Sequence, residues 1–212
     1  MNSEQQYIDL YHQANDLICR HSAPLMNAHR QEALEAFQRL GFPSKQVERY
    51  KYTDVARIFA PDYGLNLGRI DIPVNPYEVF RCDVPNLSTS LYFVLNDLFY
   101  DKALPKATLP EGVIISSLGK ACEEFPEVVK RCYGQLARPG KDAINALNTM
   151  LAQDGLFIYV PRGLVVDRTI QVINILRSDV DLMVNRRVLI VLEEGAQARI
   201  LVCDVDSENN VK

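Results

Sequence analysis

The chain lacks an apolar run long enough to cross a bilayer: its longest are about five residues, where a spanning helix needs about 20. It also lacks a basic segment followed by an apolar one at its start. Met-Asn-Ser-Glu-Gln-Gln is polar throughout, so no signal peptide is expected, and the expected location is cytoplasmic with no membrane partner. A basic excess is missing too. The 23 Lys and Arg against 27 Asp and Glu give a net charge of −4 without a basic cluster, which argues against a nucleic-acid surface. Cysteine is sparse, odd in number and scattered: Cys19, Cys82, Cys122, Cys132 and Cys203 contain no C-x-x-C pair. That pattern excludes a disulfide framework or a zinc knuckle and fits free thiols in a reducing compartment. The three histidines, His12, His21 and His29, have no H-E-x-x-H or i, i+4 spacing, and no Ser stands in a G-x-S-x-G setting. Zinc-peptidase and serine-hydrolase chemistry lose their usual signatures.

What is present is one helix followed by a ladder of short strands. Residues 142–155 carry a helical pattern; 156–160, 169–176, 187–192 and 196–205 read as strands. Pro161-Arg162-Gly163, Ser178-Asp179 and Glu193-Glu194-Gly195 supply the turns between them. No helical period intervenes, so the spacing predicts a coiling or sandwiched β architecture rather than an α/β sheet. Neighbouring strands should be parallel, with Ile158, Ile175, Ile190 and Ile200 stacked inward. The run 187–192 is nearly all apolar and is expected to be covered on both faces. In the last strand Ala198, Ile200 and Val202 share one face, and Arg199, Leu201 and Cys203 the other. A solenoid needs a cap, and none follows in 207–212, so the natural protein is expected to continue.

Ahead of the ladder the pattern is mixed. A helix starts at Ser3, with Gln6 at capping-box spacing. A second runs from about residue 24 to 40 and stops at Gly41. A short one over 54–59 has Thr53 as its cap. Residues 60–88 read as a proline-broken connector, and 91–100 as a hairpin turning at Asn96-Asp97. A strand over 113–115 and helices over 117–124 and 126–136 follow. The predicted boundary lies at 138–141. It separates a mainly helical unit with a small hairpin, 1–138, from the opening of a β core, 139–212.

Several residues invite a chemical reading. Gly134, Gly140 and Lys141 imitate a phosphate loop, but five residues separate the glycines and Asp142 stands where Ser or Thr is needed; a turn capping the next helix is favoured. Asp179 with Asp181, and Asp204 with Asp206, put paired carboxylates at strand ends. They support an alternative function, a β-helix polysaccharide lyase or hydrolase, although turn-forming Asp is commoner. Cys203 shares a face with Arg199, whose guanidinium could lower a thiol pKa; it is the single candidate metal ligand. Cys122 and Cys132 read as core. No residue is assigned a catalytic or cofactor-binding role.

Three segments resemble the SufB/SufD family of iron–sulfur cluster assembly proteins. Gly41-Phe42-Pro43 with Glu48-Arg49-Tyr50-Lys51-Tyr52-Thr53 is similar to the family's G-x-P…E-x-W-K-Y-T pattern, with Tyr50 where Trp is usual. Ala146-Leu147-Asn148 with Asp154-Gly155 and the strand through Pro161-Arg162-Gly163 resembles the opening of the family's β core. The run 187–196 resembles its next coil. The N-terminal pattern resembles the SufD branch; a SufB paralogue is the alternative within the family.

The resemblance implies an N-terminal helical domain followed by a right-handed parallel β-helix. It implies a non-catalytic scaffold subunit that pairs with a SufB-like subunit through the β-helix and with a SufC-like ABC ATPase through a C-terminal region. A transient Fe–S cluster is expected only on the full complex, and no cofactor in this chain. The chain is about half the family's length, so no cluster-binding residue is carried over. Self-association as a homodimer through residues 186–205 is expected where the next coil is absent.

Overall fold

The computed structural model describes residues 3–71, 73–80, 89–102, 109–179 and 181–206. Cys82, Pro85 and the segment 207–212 lie outside the described residues.

Helix α1, Ser3–Arg20, buries Tyr7, Tyr11 and Ile18. The expected single helix over 24–40 is two: α2, Pro24–Asn27, and α3, Arg30–Leu40. The break has a cause that lies far away in sequence. At the start of α3, Arg30 is drawn into the core, and Asn27 turns its side chain to Arg30 Nε and to the carbonyls of Cys19 and Ser22. Gly41 closes α3 at φ +60°, a backbone state that side chains rarely adopt, and its N–H donates to Phe37. Helix α4, Val55–Ile58, is capped by Asp54 rather than Thr53: the Asp54 carboxylate accepts from the Arg57 N–H at 3.2 Å. Inside the connector, Asn75 caps a short α5, Pro76–Val79. Further on come α6, Leu118–Glu124, and α7, Pro126–Cys132, which ends before the expected residue 136 because Gly134 turns the chain at φ +73°. Helix α8, Ala143–Leu151, has Asp142 as its N-cap.

The strands are β1, Thr89–Leu95; β2, Leu98–Phe99; β3, Ile114–Ser117; β4, Asp154–Val160; β5, Val165–Leu176; β6, Arg186–Leu192; and β7, Gln197–Asp206. They form two sheets, ordered β2-β1-β5-β7 and β3-β4-β6. Asn96-Asp97 makes the turn between antiparallel β1 and β2, and β3 is antiparallel to β4. Every other pairing is parallel: β1 with β5, β4 with β6, β5 with β7. From β4 onward the chain alternates between the sheets, so β6 lies beside β4 and β7 beside β5. Successive turns stack accordingly. Gly163 and Gly195 both have positive φ, 69° and 73°, and the Gly163 N–H donates to Glu194 O at 2.9 Å.

Elements on either side of residue 138 share cores and sheets. Phe37, Leu34 and Tyr11 pack with Ala146, Leu147 and Met150 of α8. Leu118 and Val129 pack under Phe157 and Val191. Between the two sheets lie Tyr92, Val94, Leu156, Ile158, Ile170 and Val172.

Two expectations about facing are corrected. Ile175 is buried, but against Phe93, Leu95 and Ile173 on the opposite face of its sheet, under the segment carrying Val79 and Phe80. On β6 only the Arg187, Leu189 and Val191 face is covered. Val188, Ile190 and Leu192 are 51%, 42% and 41% exposed, because among the described residues no strand pairs with the side of β6 away from β4. Ile190 pairs with buried Ile158 and points the same way without the same cover.

Candidate functional site

The residues singled out from the sequence do not converge. Cys203 lies on β7, on the face carrying Val205, half-buried beside Ile173; its Sγ accepts from Gln171 Nε2 at 3.7 Å. Arg199 is four residues away along the strand, roughly 13 Å at strand rise, and donates to the Asp167 carbonyl instead. Asp204 is bonded to Asn174 and Arg186, at 2.9 and 3.0 Å. Asp181 uses its backbone carbonyl to accept from Gly64, in an isolated parallel bridge between Gly64 and Leu182. Cys122 is buried in the core beneath α6, where burial pushes its thiol up to about 11. Among the described residues no group of three or more His, Cys, Asp or Glu is placed to hold a metal, and no helix is long and apolar enough to cross a membrane.

The family-like segments converge on one element, α8. The Asp142 Oδ1 accepts from the Asn145 N–H at 2.9 Å, a conventional N-cap. Its Oδ2 is held by the Tyr50 hydroxyl at 2.8 Å and by Arg49. So the Glu48–Tyr50 turn clamps the helix that leads into β4, and Lys141-Asp142 is a helix cap rather than a phosphate loop. The far end of α8 is held by a residue the sequence reading passed over. Arg30 is 1% exposed and has no carboxylate partner among the described residues. Its guanidinium donates to the carbonyls of Met150 and Ala152, both at 2.7 Å, and of Thr149 at 3.3 Å, and to Ser22 Oγ. These are orphan carbonyls of a helix C-terminus, satisfied by a buried cation. Burial lowers the Arg30 pKa below its usual value.

A second guanidinium, Arg187 on β6, repeats the arrangement. It is buried, donates to Asn145 Oδ1 and Asn148 Oδ1 at 2.8 Å and to Ala137 O, and lies 5.5 Å from the Tyr133 ring. Both asparagines are on α8, so Arg187 locks β6 to that helix. Its neighbour across the ladder is Gly155 of the Asp-Gly pair. A Cβ there would sit 1.7 Å from the Arg187 carbonyl oxygen, so this crossing admits glycine alone. A third cation, half-buried Arg69, stands at φ 56° and joins Asp97 to Asp154. Asp154 Oδ1 in turn accepts from Ser117 and the Gly119 N–H, both at 2.9 Å.

The outer edge of β6 borders a groove of about 540 Å³. Residues 187–192 line it consecutively on one side and 131–137 on the other. Both faces of the strand contribute, as a groove along an open edge requires. At the Arg187 end it meets a cleft of about 700 Å³ lined by Arg49, Arg138, Lys141, Arg186 and Arg187, with Asp142 the lone carboxylate.

Comparison with known proteins gives a coherent set of relatives. A family model described as the SufBD protein N-terminal region matches residues 1–172. An iron–sulfur cluster assembly SufBD family protein of Synechocystis sp. is 24% identical over 172 residues, covering 81% of this chain and 37% of that protein. One of Trieres chinensis is 28% identical over 120 residues, covering 52% of this chain and 24% of that protein. The chain therefore spans well under half the length of these relatives.

Proposed function

The chain belongs to the SufBD family, and from that premise we propose that it acts in iron–sulfur cluster assembly as a non-catalytic, SufD-like scaffold subunit. The observation that carries the reading is the family match over residues 1–172. The clamp at α8 supports it: Tyr50 of the Gly41–Thr53 segment and Arg187 of the run 187–196, remote in sequence, both hold the helix that leads into β4. Strands two apart pair in parallel, and this supports reading β4 to β7 as the opening coils of a right-handed parallel β-helix. In this reading the helical part sets the start of the solenoid, and later coils meet a SufB-like subunit. A SufC-like ATPase docks further along. The cluster is cargo of the whole complex, and the protein works in the cytoplasm.

The experiment is complementation. The complete reading frame containing this chain should restore Fe–S enzyme activity to cells lacking their SufD-like subunit, and not to cells lacking the SufB-like one. Rescue of only the second strain would assign the SufB branch. Rescue of neither, with the protein expressed and folded, would overturn the scaffold reading.

A further inference from the structure

We propose that one buried water bridges Asn185 to Gln153 beneath the connector, as an extra rung at the point where β6 joins β4. Register brings the two residues together. Asp154 pairs with Arg186 in the first step of that parallel ladder, so Gln153 and Asn185 stand one step ahead of it. Neighbouring strands lie about 4.8 Å apart, and paired residues share a face. Both residues line a cavity of about 10 Å³, room for the centre of one water and no more. Its walls are residues 65–67 of the connector, the Asn96-Asp97 turn, the end of α8 and residues 182–185. None of them belongs to the outer edge of β6, so the cavity does not depend on what lies beyond that strand.

Five polar side chains line this space, and three already have their partners. Asn66 Oδ1 accepts from the Ile70 N–H at 2.8 Å, and its Nδ2 donates to the Ile70 carbonyl at 2.9 Å. Asn96 does the same with the main chain of Arg177, at 2.9 Å both ways. Asp97 is ion-paired with Arg69. Two groups are left over, and they are complementary. Asn185 Nδ2 is buried and has no hydrogen-bond partner among the described residues. Gln153 is 2% exposed; its Nε2 donates to the carbonyls of Leu67 and Ile18, at 3.0 and 3.4 Å, and its Oε1 accepts from no donor among the described residues. A buried polar group without a partner is costly, and an ordered water is the usual remedy. The chemistry of the ligand follows from the two groups. It must accept from Nδ2 and donate to Oε1 with a single heavy atom, and it carries no charge because Asp97 is already neutralised. A metal cation or ammonium accepts no hydrogen bond, and a halide donates none; water does both. The inference rests on the cavity and the ladder register, and it is independent of the cluster-assembly reading.

The test is nuclear magnetic resonance on the 212-residue chain. In the parent, the side-chain amide protons of Asn185 should cross-relax with water, with the sign given by a water that stays longer than the molecule takes to tumble. Relaxation dispersion of the water oxygen, which counts such waters, should fall by one water in Asn185→Leu, a side chain of similar shape without the donor. Circular dichroism would verify that the variant keeps the parent fold, and the parent signal decides where it does not. No cross-relaxation at Asn185 in the folded parent would overturn the proposal. So would an equal count of held waters in parent and folded Asn185→Leu. Exchanging sodium for potassium or ammonium at fixed ionic strength should leave the Asn185 signal unchanged; its loss would make a cation the occupant and would overturn the assignment to water.

Discussion

Replacing Gly155 by alanine should be the most damaging one-carbon change in the molecule. The added methyl would lie 1.7 Å from the carbonyl oxygen of Arg187, 2.6 Å from its carbon and 2.7 Å from its nitrogen, where real contacts are not under 3.0 Å. Relief requires β6 to move off β4 by more than an ångström. Adjacent strands are held near 4.8 Å by their hydrogen bonds, so the movement breaks the ladder locally. Nor can Arg187 yield alone, because its guanidinium is tied to Asn145, Asn148 and Ala137. Overpacking costs about 1–3 kcal/mol, and two lost ladder bonds add roughly 1 kcal/mol each. The expected destabilisation is about 3–5 kcal/mol, a fall of roughly 6–20 °C in Tm for a chain of this size. Gly68→Ala is the control: nothing lies within 4 Å of its Cβ position, and a stabilisation of about 0.4–1 kcal/mol is expected from the restricted unfolded chain. Thermal and urea unfolding followed by circular dichroism read both. A Gly155→Ala chain melting within about 2 °C of the parent would refute the close crossing.

Arg30→Met should cost at least about 3 kcal/mol in urea unfolding, because the carbonyls of Thr149, Met150 and Ala152 lose their donor in the core; a change under about 1 kcal/mol would mean that water replaces the guanidinium. Cys122, with its thiol near 11 through burial, should resist alkylation at pH 8 in the folded chain and react once urea is added; equal labelling before and after would contradict its place in the core. Burial raises the Asp97 carboxyl above its ordinary value, with Arg69 opposing. As pH falls, the folded state takes up this proton before the unfolded state does. The contribution of Asp97 to stability therefore rises between the folded and unfolded pKa values and is smallest above both. Asp97→Asn should remove that rise; parallel stability–pH curves for parent and variant would show that Asp97 titrates alike in both states.

Much of this arrangement was readable one residue at a time. Gly41 as a helix stop, Asn96-Asp97 as a turn and the strand at 187–192 follow from local rules about φ, turn chemistry and apolar patterning. The break between α2 and α3 does not, because its cause is a guanidinium whose partners lie 119–122 residues ahead. The cap of α4 illustrates a smaller limit: Thr53 and Asp54 are both competent acceptors, and the backbone path alone decides. Ile175 was expected to stack with Ile158 and Ile200, but its sheet is covered on both sides, so an apolar residue there can join either core, and it joins the one with Phe93 and Ile173. The exposed row on β6 was misjudged for the same reason in reverse, since apolar composition does not reveal whether a covering strand exists. As for the candidate site, the family-like pattern at Arg49 and Tyr50 was visible, whereas its target, one oxygen of Asp142, was not.

The ladder between β5 and β7 contains a slip. Val166 pairs with Ala198 and Ile170 with Ile200, so three residues of one strand, Asp167, Arg168 and Thr169, stand opposite Arg199 alone. Arg199 spans the irregularity by donating to the Asp167 carbonyl at 2.6 Å, while Asp167 and Arg168 project into solvent. Upstream the turn glycines Gly163 and Gly195 remain stacked, and downstream the pairing resumes without loss through Leu176. The strand behaves like an expansion joint: length gained or lost at this point stays there. A peptide tag or a few extra residues spliced in after Asp167 should leave the threading of both sheets unchanged.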